Sequence, residues 1–175
     1  MTRLFAACAA ALFVSATAYA QEPENYGPRQ GDWEMTLSGT GTSDNDFDSH
    51  TIGISGGAGY YFTDNVLVGA RQSVNFAEVN DDDTINFATR VHADWVFDFG
   101  RWRPFVGVNF GGIYGERVND TFAAGPEIGV KYYADRNTFI YGLGEYQFTF
   151  KDADDAGDAA DDGQFYYTVG VGFNF

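Results

Sequence analysis

From Ile85 to Asp98 the side chains alternate between two chemistries without a break. Ile85, Phe87, Thr89, Val91, Ala93, Trp95 and Phe97 fall on one side, and Asn86, Ala88, Arg90, His92, Asp94, Val96 and Asp98 on the other. A period of two is the signature of a β-strand, whose successive side chains point to opposite faces. The run is far longer than the usual strand of about 5–6 residues. Seven further segments repeat the pattern, at about 32–41, 51–62, 66–76, 103–111, 122–133, 138–150 and 164–175. The links between them alternate too. Short turns fall at 63–65, 99–103 and 134–137, and longer connections at 42–50, 77–83, 115–121 and 151–163.

Alternation does not say which face is inside, so the content of each face must decide. One face carries large aromatic and β-branched groups such as Phe87, Trp95, Phe148 and Phe173. The other mixes glycine with Glu34, Arg71, Arg90, His92, Asp94, Glu127, Lys131 and Glu145. Eight strands closed on themselves leave an interior only wide enough for side chains to fill. Glycines and paired charges fit there, whereas the bulky set suits lipid. A soluble sandwich with one wet face would show the same alternation; the export signal and the C-terminal pattern below argue against it. The reading is an all-β fold, an eight-stranded antiparallel up-and-down transmembrane β-barrel. Short turns at one end and longer loops at the other match the outer-membrane pattern, with both termini on the periplasmic side. Trp33, Tyr60, Phe62, Trp95, Phe97, Trp102, Tyr132 and Phe175, near strand ends, are expected to form an interfacial girdle.

The first twenty residues stand outside this pattern. Arg3, the apolar stretch Leu4 to Val14 and the small-x-small site at Ala18 and Ala20 read as a secretory signal. Cleavage before Gln21 leaves 155 of the 175 residues. The expected organisation is a signal peptide at 1–20, a short periplasmic segment at 21–30 and one barrel domain at 31–175. Cys8, the one cysteine, lies within the signal, so the mature chain has neither a disulfide nor a thiol metal ligand. It keeps all 25 acids but nine of the ten bases. That balance argues against nucleic-acid binding, which rests on neutralising phosphates. Acidity could also mean disorder, but 17 Phe, 11 Tyr and 3 Trp contradict it.

The final strand carries a more specific signal. Thr168, Gly170, Phe173 and the terminal Phe175 fill the four defined positions of a pattern that resembles the outer-membrane assembly signal. Arg103-Pro104-Phe105-Val106-Gly107-Val108 and Gly129-Val130-Lys131-Tyr132-Tyr133 are similar to strands of small outer-membrane β-barrel domain proteins, the OmpA-, OmpX- and OmpW-like, porin-like class. The resemblance covers about Gly31 to Phe175. It implies a monomer in the Gram-negative outer membrane, inserted by the barrel-assembly machinery, surrounded by membrane lipid and lipopolysaccharide. It implies no single activity.

Three features are candidates for chemistry. Buried charges persist only when paired, so Arg71, Arg90 and Lys131 are expected to bridge Glu34, Asp94, Glu127 and Glu145 and to plug the lumen. His92, between Arg90 and Asp94, is read as a member of that network and not as a catalytic base. Small barrel enzymes that modify lipid A are the rival class. The His-x-Ser spacing of the lipid A deacylase is absent, because His50 is followed by Thr51 and Ile52, and His92 by Ala93 and Asp94. The expectation is therefore no enzyme, no cofactor and no metal centre, with a narrow low-conductance pore as the alternative to a structural or interaction protein. The four longer connections hold fifteen acids against two bases, Arg117 and Lys151. The 151–163 link, with six aspartates, meets EF-hand spacing only in part. Loose binding of divalent cations at this rim is the expectation.

Overall fold

A computed structural model describes residues 25–43, 50–79, 82–115, 118–150 and 163–175. Eight strands follow in order: β1 (Trp33–Ser43), β2 (His50–Tyr61), β3 (Val66–Val79), β4 (Asp82–Val96), β5 (Trp102–Gly115), β6 (Val118–Tyr133), β7 (Thr138–Phe150) and β8 (Gly163–Asn174). Each is antiparallel to its sequence neighbour, and β8 returns to β1, so the sheet closes into an up-and-down barrel. Closure leaves no strand edge, which is what a sheet needs where no water can satisfy its backbone. The last residue completes the seam. Phe175 and Trp33 exchange backbone hydrogen bonds of 2.8 and 3.0 Å.

The strands run further than the side-chain pattern suggests. The β3–β4 ladder continues to Val79 opposite Asp82, and β5–β6 to Gly115 opposite Val118. Glu78, Asp82, Asp83 and Asp120, assigned to loops from the sequence, thus lie on strand ends. Backbone hydrogen bonds, once in register, carry on after the apolar alternation has faded. At the other end of β4 the strand stops at Val96, and residues 97–101 form the turn. There Gly100 has φ +72°, and its N–H donates to Asp98 Oδ1 at 2.9 Å. That left-handed backbone is glycine's preserve.

The two faces divide as the alternation indicates. Leu37, Ile54, Val108, Ile128 and Val169 point outward, the last 72 % exposed. The girdle aromatics also face out at the periplasmic end. Trp33 meets Tyr60 edge-on at 5.3 Å, and Trp102 lies 4.8 Å from Tyr132. Apolar groups in such number on the outside are what lipid, and not water, requires.

The interior departs from the expected mixture of glycines and charges. Toward the periplasmic end Tyr61, Leu67, Val96, Phe105, Tyr133, Phe139, Tyr141 and Leu143 form a buried apolar cluster. These rings fit because glycines face them. Phe105 pairs directly with Gly129, Phe139 with Gly172 and Tyr141 with Gly170. A Cβ at Gly129 would lie 2.4 Å from the Phe105 ring, and one at Gly172 would lie 2.1 Å from Phe139. Each ring thus occupies the space of its neighbour's missing side chain.

The segment before β1 lies across the mouth of the barrel at its short-turn end. Gly27 N–H donates to Arg136 O at 2.9 Å, Gln30 N–H to Asp64 Oδ1 at 2.7 Å, and Gly31 N–H to Tyr61 O at 2.9 Å. Tyr26 packs against the apolar cluster, and the Arg101 guanidinium sits 4.2 Å over its ring. The residues expected to form a signal peptide, Ala18 and Ala20 included, lie outside the described residues.

Candidate functional site: the charged lumen

The register places Arg71 of β3 directly opposite Arg90 of β4, and Glu127 of β6 directly opposite Glu145 of β7. Like charges side by side on neighbouring strands destabilise a sheet. The barrel resolves both conflicts at once by facing the pairs across the lumen. Arg71 Nη2 lies 2.5 Å from Glu127 Oε1, and its Nη1 bonds Glu145 Oε1. Arg90 Nη1 reaches Glu145 Oε2 at 3.2 Å and stacks 4.3 Å over the Tyr166 ring. Asn109 donates to Glu127 Oε2 at 2.8 Å, and Gln147 donates to Asn109 Oδ1 at 2.6 Å. All six of these polar side chains are buried.

A second pair sits nearer the periplasm. Lys131 Nζ is 2.7 Å from each oxygen of Glu34 and 2.9 Å from the Tyr61 hydroxyl. The rings of Tyr61, Phe105 and Phe139 surround the ammonium at 5.5, 5.4 and 5.2 Å. A cation desolvated among ring faces recovers from their quadrupoles part of what it loses in water. Asn174 and Tyr133 extend this cluster, the hydroxyl donating to Asn174 Oδ1 at 2.6 Å.

Asp94 corrects one expectation. It has no arginine or lysine partner among the described residues; its Oδ2 lies 2.9 Å from His92 Nδ1. The reason is geometric. Arg71 and Arg90 are aimed at β6 and β7, and Lys131 is held by Glu34. Arg103, also inward and buried, turns to the mouth, where it meets Asp98 at 3.0 Å and the Tyr26 carbonyl.

The eight sequence-predicted lumen residues therefore share one interior, in three groups and not as one chain of bridges. The aromatic cluster beneath them was missed. Its signal was available in parity: Phe105 shares a face with Gly107 and Asn109, and Tyr133 shares one with Lys131. The residues expected to form an assembly signal lie on both faces. Thr168 and Gly170 point inward, and Phe173 and Phe175 point out, 47 % and 54 % exposed. The acidic residues of 151–162 lie outside the described residues.

The family model for the outer membrane protein β-barrel domain matches residues 6–175. Among solved structures, the N-terminal β-barrel domain of Pseudomonas aeruginosa OprF is 22 % identical, with TM-score 0.55, covering 83 % of this chain and 98 % of its own. Neisserial surface protein A is 12 % identical, with TM-score 0.60 and coverages of 82 % and 96 %. Ail, the attachment invasion locus protein of Yersinia pestis, is 14 % identical, with TM-score 0.53 and coverages of 83 % and 99 %. At these identities the likeness is one of fold. No curated protein sequence matches.

Proposed function

The chain belongs to the outer membrane protein β-barrel domain family, and we propose that within it this protein is a structural and interaction barrel. Its lumen is plugged, and it displays acidic loops at the cell surface. The observation that carries the plug is the contact of Arg71 with both Glu127 and Glu145, which joins opposite walls of the barrel. Below it the buried rings add a second barrier. An ion passing through would have to strip its water against paired charges and then against apolar rings. The acidic rim would meet lipopolysaccharide phosphates with divalent cations between them, since like charges need a screen.

The test is single-channel recording in planar bilayers with purified protein. The expected result is membranes that stay silent at every voltage; reproducible unitary events would replace the plug with the narrow-pore reading. The histidine supports a role without catalysis, because its Nδ1 is engaged by Asp94 inside the lumen and not presented to lipid. Unchanged lipid A mass on overexpression is expected; an added or lost acyl chain would overturn the non-enzymatic reading. The C-terminal strand is read as the assembly address. Deleting Phe175 removes both its ring and its backbone bonds to Trp33. The expected outcome is less barrel in the outer membrane fraction, and undiminished assembly would refute that role.

A further inference from the structure

We infer that His92, Asp94 and Glu127 form a binding site inside the lumen for a divalent metal ion of the zinc class. His92 and Asp94 lie two residues apart on the inward face of β4, and Glu127 reaches them from β6. The intervening strand presents Gly107, which pairs with Asp94 on one side and Glu127 on the other. A Cβ there would lie 2.0 Å from Asp94 Oδ1, so the bare backbone is what lets the two carboxylates face each other. A second glycine orients the imidazole. Gly69 seats the Nε2 edge, where a Cβ would be 2.6 Å away, and Nδ1 is left toward Asp94. One donor atom from each of the three residues lies within 4.8 Å of the others.

Electrostatics point to a cation. Glu34, Glu127 and Glu145 each have a lysine or arginine partner, and Asp94 has none among the described residues. Asp94 is 4 % exposed, and its Oδ1 meets no N–H or hydroxyl donor among the described residues, the Glu127 carboxyl being the acid that faces it. An orphaned buried acceptor is unfavourable by about 1–3 kcal/mol, and more when charged. A void of about 30 Å³ lined by all three residues adjoins the site, which is room for one water as a further ligand.

The donor set selects the metal. An imidazole and two carboxylates with a water make the three-plus-one pattern of zinc, whereas calcium and magnesium prefer oxygen alone. Bond lengths of about 2.0–2.2 Å ask the widest donor pair to close by roughly an ångström, within reach of side-chain rotation. Arg71 and Asn109 already hold Glu127, at 2.5 and 2.8 Å, and would orient it as outer-shell partners. Glu34 and Lys131 also line the void, but they satisfy each other. The site does not depend on whether the lumen conducts.

Cobalt provides the test. The barrel is refolded into detergent micelles from chelator-treated protein with Co²⁺ present, so that a closed lumen does not bar entry. The expected result is the intense visible spectrum of a four-coordinate cobalt site with a nitrogen donor, saturating at one equivalent and bleached by Zn²⁺. His92→Asn, checked for folding by its heat-modifiable electrophoretic mobility, is expected to lose the bands and bind Zn²⁺ at least tenfold more weakly. Should that variant not fold, Asp94→Asn serves in its place. A weak six-coordinate spectrum, or Zn²⁺ affinity unchanged in a folded variant, would overturn the site. The acidic rim would then be the binder, and His92 would be left as the hydrogen-bond partner of Asp94.

Discussion

Toward the periplasm, the lumen is filled by rings resting on glycines; toward the loops, it is filled by arginines and carboxylates that meet across the barrel. In the first region Phe139 lies over Gly172 and Phe105 over Gly129, each on the strand next door. Partners there are one strand apart, so two adjacent strands define the fit. In the second, Arg71 and Arg90 are neighbours that repel, as are Glu127 and Glu145, and relief comes only from the far wall. The difference teaches that the rings stabilise local pairing, while the charges reward closure. An open sheet would keep the ring contacts and suffer both repulsions. The charged layer therefore discriminates the barrel from its unclosed alternatives.

The largest expected effect comes from breaking the charged layer on one side only. Glu145→Leu strands Arg90 and leaves Arg71 with Glu127 alone, and Lys131→Met strands Glu34; each is expected to destabilise the folded barrel by about 3–5 kcal/mol, read from urea unfolding in micelles. Pairing Lys131→Met with Glu34→Leu should restore most of the loss. A double variant as unstable as the single would show that the pair's worth is not electrostatic.

Truncating a floor ring comes next. Phe139→Ala is expected to lose about 3 kcal/mol, in the range for a buried ring, without affecting the rate of barrel closure as much as Glu145→Leu does. Refolding kinetics by tryptophan fluorescence would check this, and equal slowing by both would erase the distinction between the two regions. Gly172→Ala inserts a methyl 2.1 Å from the Phe139 ring and is expected to lose about 1–3 kcal/mol by overpacking. Combined with Phe139→Leu it should lose less than the sum of the single changes; additivity would mean that the glycine does not seat the ring.

The smallest effect belongs to the mouth. Asp98 is largely exposed, so water screens its side of the 3.0 Å pair with the buried Arg103. Asp98→Asn is expected to change stability by less than about 1 kcal/mol, vanishing in high salt. A larger loss would mean that the mouth segment around Tyr26 depends on that pair to hold Arg103.

Much of this division is legible in the chain alone. The Ile85–Asp98 alternation, repeated through the sequence, already assigns Trp95 and Val91 to lipid and Arg90 and Asp94 to the lumen, because period two leaves each residue one of two faces. A turn residue such as Gly100 marks where strands reverse. The pairing of charges was not legible, since Arg71 and Glu145 are 74 residues apart and meet only across a closed barrel. The aromatic floor was legible only in part: parity puts Phe105 and Tyr133 on the inward face, but a ring facing inward is overcrowded unless a glycine lies opposite, and opposition is a matter of register.

The sequence by itself therefore determined the strand number, the inward and outward sets and the membrane as the surroundings, since these follow from side-chain parity along one chain. Only the tertiary structure decided that Asp94 is left to His92, that Gly107 opens the way from Asp94 to Glu127, and that rings and glycines form the floor. The physical reason is the same in each case. Parity is a property of a single strand, whereas these contacts are set by the stagger between strands and the closure of the eighth on the first.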